Sequence, residues 1–134
     1  MRILNRELQR EFATPGRCEL CGVMCAAREG HHLRSRSPEI TVRINLISLG
    51  SSAQFQCKCH HDIHWNGRGK ADCVVKVCVR EKCTLGDRDR VMELIWRAPK
   101  ASPRAWFEAE ATEWSRSALA LLRRTLDEAN ITEE

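Results

Sequence analysis

The sequence predicts a small α+β fold, a cysteine- and histidine-rich strand, strand, short-helix core with flanking helices, followed by a helical C-terminal half. Three observations predict it. All five histidines fall in two clusters, His31-His32 and His60-His61-x-x-His64, each beside a cysteine pair, Cys18-x-x-Cys21 and Cys57-x-Cys59. The stretch between the clusters is short, broken and β-branched, as in Ile40-Thr41-Val42-Arg43-Ile44. Beyond Gly69 histidine is absent and apolar residues recur at helical spacing.

Three segments follow, 1–16, 17–69 and 70–134. In the first, residues 3–12 read as an amphipathic helix, with Leu4, Leu8 and Phe12 on one row and Arg2, Arg6 and Arg10 on another, stopping at Pro15-Gly16. In the second, a CxxC knuckle leads into His31-His32-Leu33, which pairs with the alternating Ile40–Ile44 stretch as a small two-stranded unit. Gly50-Ser51-Ser52 signals a loop, and the second histidine cluster lies in a short helix that ends by Asn66-Gly67.

In the third segment, residues 70–83 fit two patterns: Val75, Val77 and Val79 alternate, while Val74, Val77 and Cys78 share a helical face, and helix is favoured. Asp87 caps a further helix whose stripe of Val91, Leu94, Ile95 and Ala98 closes before Pro99. Ser102-Pro103 supply the N-cap and first-turn proline of one long terminal helix. Its apolar face, Phe107, Ala111, Trp114, Ala118, Leu121, Thr125 and Ala129, reads as a packing surface for the core or for a partner chain. Cys73, Cys78 and Cys83 match no common ligand spacing and read as buried small hydrophobes, and Trp96, Trp106 and Trp114 read as packing.

A chain of 134 residues is the size of one domain. No run approaches the roughly 20 apolar residues of a membrane span, and the charged N-terminus is unlike a signal peptide, so a cytoplasmic protein is expected. In that compartment, eight cysteines placed beside histidines point to metal binding rather than to disulfides. A net charge of +4 and a pI near 8.7 suit a polyanionic partner.

The chemistry starts from His60 and His64, which project from one face of a helix and can grip a single ion. His31 can supply a third ligand, and His32, pointing the other way from a strand, can act as a base.

Taken together, Cys18-Glu19-Leu20-Cys21, His31-His32, Asn45-Leu46 and Cys59-His60-His61-Asp62-Ile63-His64 resemble the HNH endonucleases, whose core is a β-β-α-metal motif. The resemblance covers roughly residues 17–66 and is to the small stand-alone phage or bacterial type. It implies a zinc-stabilised core and hydrolysis of DNA phosphodiester bonds. His32 would be the general base, Asn45 would orient its ring, and His31, His60 and His64 would hold one catalytic divalent ion, magnesium, manganese, nickel or zinc.

Under the same resemblance a structural zinc is held by Cys18, Cys21, Cys57 and Cys59. Here the chain departs from the family, which has CxxC where this sequence has Cys57-x-Cys59 after an extra stretch from Gly50 to Gln56, and Cys25 is the alternative to Cys57 as fourth ligand. Arg34, Arg36, Arg43 and Arg68, with Lys70 nearby, are the expected phosphate contacts. A homodimer or an assembly partner would use the C-terminal helices.

Two other readings use the same residues. One combines Cys18, Cys21, His60 and His64 in a single zinc site of a non-catalytic nucleic-acid-binding module, although the gap between the pairs is far longer than in classical fingers. The other makes the chain a structural component of a DNA-processing assembly.

Overall fold

A computed structural model describes residues 1–34, 37–51 and 57–131. It is an α+β structure with six α-helices and two small antiparallel sheets among those residues. Helix α1 (Arg6–Ala13) begins later than the sequence suggests, because Asn5 caps it by accepting from the Leu8 amide. Leu8 and Phe12 are buried as expected, but Leu4 lies before the helix and is exposed.

Strands β1 (Gly16–Arg17) and β2 (Met24–Cys25) form the hairpin that carries the CxxC knuckle at its turn. Strand β3 (Arg28–His32) then pairs antiparallel with β4 (Leu46–Gly50), placing His31 opposite Ile47 and His32 opposite Leu46. The expected second strand at 40–44 is therefore displaced. Ile40 makes only an isolated bridge to Ile3, and Arg43–Asn45 is a turn of 3₁₀ helix. The β-branched residues there serve packing instead: Ile40, Val42 and Ile44 are buried in the same cluster as Val91, Ile95, Phe107 and Leu122. The true strand hid because all five of its residues are buried and show no alternation. Gly50, expected in a loop, ends that strand.

Helix α2 (Cys59–Asn66) follows and ends at Gly67, whose φ of 68° favours glycine. Helix α3 (Lys70–Glu81) settles the ambiguous segment as helix and buries Cys73, Val77 and Cys78. Helix α4 (Leu85–Arg97) is capped by Thr84 rather than Asp87: the Thr84 hydroxyl accepts from the Asp87 amide at 3.1 Å, which puts Asp87 in the first turn.

The long terminal helix is in fact two, α5 (Arg104–Glu110) and α6 (Arg116–Glu128). Ser115 starts the second by accepting from the Ala118 amide, while Ser102 bonds Pro99 and caps nothing. The predicted apolar face survives the break, since Phe107, Ala111, Ala118, Leu121 and Thr125 are all buried.

Two clusters organise the interior near the site. One joins Ile3 and residues 40–44 to α4, α5 and α6, so the first and third predicted segments share a core. The other packs Ile47 and Leu49 of β4 against Ile63 of α2 and Cys73 and Val77 of α3. Arg80 of α3 locks the two regions. Its guanidinium donates to the carbonyls of Arg43 (2.5 Å) and Leu46 (2.9 Å) and to Glu19 (2.7 Å), and lies over the Phe12 ring. Glu19 also accepts from the Ser48 amide, which fastens the knuckle to β4. No helix among the described residues is long and apolar enough to cross a membrane.

Candidate metal centres

The fold gathers the cysteine and histidine donors into two separate groups. The sulfurs of Cys18, Cys21, Cys57 and Cys59 lie within 4.8 Å of one another, as do donor nitrogens of His31, His60 and His64. Either set could hold a metal ion such as zinc. The mixed set of Cys18, Cys21, His60 and His64 is not gathered as one group: its cysteines fall in the first group and its histidines in the second.

In the cysteine group, Cys21 and Cys57 sulfurs are 3.4 Å apart, close to the edge of about 3.8 Å of a tetrahedron built on Zn–S bonds of about 2.3 Å. Burial opposes ionisation of Cys18, yet backbone hydrogen bonds from Cys21, Gly50 and Leu20 outweigh it and bring the thiol down to about 7. Burial and the neighbouring sulfurs push Cys59 upward, and burial pushes Cys21 upward. A divalent cation would favour the thiolate form at Cys21 and Cys59, which burial opposes. Cys57 takes its place in the group despite the irregular spacing. Cys25, the alternative, is buried and turns its sulfur to the Val23 carbonyl at 3.3 Å.

In the histidine group, Nε2 of His60 and Nε2 of His64 are 3.0 Å apart, near the edge of about 3.3 Å expected for two imidazoles on one tetrahedral ion. The His31 ring meets both edge-on, with centroids at 5.6 and 5.1 Å. Burial, then repulsion from His60, His64, His32 and Lys70, lowers His31 to about 4, so its ring is neutral at physiological pH and could ligate a metal. Burial also lowers His60, against the opposing pull of Glu29. These rings line an open cleft of about 700 Å³ together with His32, Glu29 and Lys70.

His32 takes the opposite side of β3. Its Nε2 lies 3.0 Å from the Thr41 hydroxyl and 3.8 Å from the Glu39 carboxylate. The side-chain hydrogen bonds of Asn45 run to the backbone on either side of residues 35–39. Its buried side chain accepts from the Arg34 amide and donates to the Ile40 carbonyl, both at 2.8 Å, and so fixes the backbone that follows β3. Sequence reasoning missed Thr41 and Glu39 because a threonine inside a β-branched run carries no signal of its own.

The expected phosphate contacts are unevenly placed. Arg34 pairs with Glu93 at 2.9 Å and covers the Trp96 ring, and one guanidinium nitrogen of Arg43 donates to both Glu11 carboxylate oxygens at 2.7 and 2.8 Å. Arg68 is exposed beside α2, Lys70 lines the cleft, and Arg36 lies outside the described residues. Of the tryptophans, Trp106 and Trp114 pack on the core, Trp96 is partly exposed, and Trp65 is 77% exposed and stacks on His61. Cys73 and Cys83 are pushed up to about 11, chiefly by burial, which suits inert packing thiols.

The geometry defines an α+β chain with two separate metal-capable clusters, one of sulfur and one of imidazole. No family model matches the chain, and no curated protein or solved structure matches it.

Proposed function

We propose that this chain is a metal-dependent endonuclease of the HNH type, hydrolysing DNA phosphodiester bonds with a water activated by His32. The observation that carries the reading is positional. His31, one of three imidazoles that converge on a metal-capable site, is adjacent in β3 to His32, and both line the same cleft. In this reading β3, β4 and α2 are the β-β-α-metal core, stabilised by zinc on Cys18, Cys21, Cys57 and Cys59.

His31, His60 and His64 would hold one divalent ion, magnesium, manganese, nickel or zinc, with three imidazoles favouring the transition metals. When bound, that ion supplies Lewis-acid stabilisation of the charge that develops on the phosphate and the leaving 3′ oxygen. His32 takes the proton of the attacking water as the P–O bond to that oxygen breaks. Thr41 holds the ring in place, and the Glu39 carboxylate at 3.8 Å favours the imidazolium that results. Asn45 keeps the turn after β3 in register, a positioning role exerted through Arg34 and Ile40. Lys70 and Arg68 hold phosphates, and Arg36 retains that role from its sequence position.

The alternative is a non-catalytic zinc module that binds nucleic acid or builds a DNA-processing assembly. The separation of the cysteine set from the histidines favours it, because zinc there can stabilise the fold with no chemistry elsewhere.

Cleavage of supercoiled plasmid by parent and His32→Ala protein, with chelator and each candidate ion in parallel, tests the proposal. Metal-dependent cutting by the parent and loss of about a hundredfold or more in the variant, with zinc content and DNA binding retained, supports it. Equal cutting by both removes His32 from the role, and binding without cutting in any ion moves the assignment to the zinc module.

A further inference from the structure

Side chains alternate along β3, so Glu29 and His31 project to one side of the strand, toward α2. Gly30 between them faces Phe12 of α1. One carboxylate oxygen of Glu29 lies 3.1 Å from Nε2 of His60, and that same nitrogen is 3.0 Å from Nε2 of His64. A carboxylate thus extends the row of imidazole donors at the wall of the cleft. Its side chain is 57% exposed, so it can adjust toward an ion without disturbing the core.

We propose that Glu29 is a fourth protein donor for the ion held by His31, His60 and His64, closing the site until another oxygen ligand displaces it. Three neutral imidazoles leave the charge of a divalent cation uncompensated at a half-buried position. A carboxylate lowers the net charge there by one and supplies the hard oxygen that the histidines lack. The resulting donor set favours manganese, cobalt, nickel or zinc over magnesium, which prefers carboxylates and waters. An incoming phosphate oxygen would compete with Glu29 for the same position. Metal binding by Glu29 holds whether or not the site cuts DNA.

A simpler role, counter-ion to a protonated His60, predicts the opposite sign. In that case the carboxylate stabilises the protonated ring in competition with a metal, and removing it tightens metal binding.

The test is a cobalt(II) titration followed by visible absorption, on whole protein whose cysteine site already holds zinc. Parent, E29D, E29Q and E29A are compared, with His31→Ala as a control for the histidine site. The expected result is binding weaker by about tenfold or more in E29Q and E29A, with altered cobalt bands, and affinity within a few-fold of the parent in E29D. Unchanged bands and affinity in E29A, or tighter binding, would overturn the assignment, as would a parent that binds no cobalt beyond the zinc-filled site. Zinc content and circular dichroism confirm that each variant is folded. Because no cleavage is read, failure of the nuclease proposal leaves this result interpretable.

Discussion

Gly50→Ala perturbs the cysteine centre through packing alone, without replacing any of its four cysteines. Gly50 ends β4, and a Cβ built there lies 2.6 Å from the Cys25 sulfur, 2.7 Å from the Cys57 Cβ and 3.0 Å from the Cys57 sulfur. Comfortable separations are about 3.5–4.0 Å, so the overlap is about 1 Å. Rotation relieves little of it, since the Cys57 Cβ is fixed to its backbone and Cys25 is buried. Overpacking of this kind costs about 1–3 kcal/mol, against a gain of about 0.5–1 kcal/mol for replacing glycine inside a strand. The net loss is centred near about 1 kcal/mol, a melting point lower by about 3–5 °C. Expressed wholly at the cysteine site, the same energy weakens zinc about fivefold. Thermal melts and competition against a chromogenic chelator measure the two. A variant that melts at or above the parent with unchanged zinc affinity would refute the reasoning, because the strand preference would then have outweighed the clash.

Asn45→Ala leaves the Arg34 amide and the Ile40 carbonyl without their side-chain partner, and should lower stability by about 2–4 kcal/mol in urea denaturation; a change under about 0.5 kcal/mol would contradict the positioning role. Glu128 is raised above its ordinary 4.5, mainly by burial, so the native state binds this proton more tightly than the unfolded chain. Its contribution is fully present below about 4.5 and is lost as pH rises through the native value. Glu128→Gln should therefore match or exceed the parent at pH 7.5 and lose that advantage near pH 4.5, as followed by melting temperature; a deficit that is larger at pH 7.5 than at pH 4.5 would show the carboxylate to be net stabilising and contradict the raised value.

The parts of the fold legible in the sequence were those with local causes. The α4 stripe of Val91, Leu94, Ile95 and Ala98 and the histidine spacing on α2 follow from helical period, and both are where the sequence put them. Leu46–Gly50 was illegible because a strand buried on both faces has no alternation, whereas Ile40, Val42 and Ile44 imitate one while packing against helices far along the chain. Ser115 was passed over because the apolar face continues across the break between α5 and α6. At the two clusters, which cysteines and histidines gather was readable but their further partners were not. Thr41 at His32, Glu29 at His60 and the Arg80 clamp on Glu19 are all contacts between distant segments that no spacing encodes.

The claim on which the rest depends is that the cysteine and histidine sets are two separate metal sites. Metal stoichiometry by native mass spectrometry, on parent, Cys18→Ser and His31→Ala protein across a chelator series, tests it most directly. The account predicts one tightly held zinc and a second, more weakly held ion in the parent. His31→Ala should lose only the weak ion, while Cys18→Ser should lose the tight zinc and melt well below the parent. A single ion in the parent, lost with either substitution, would contradict the two-site account.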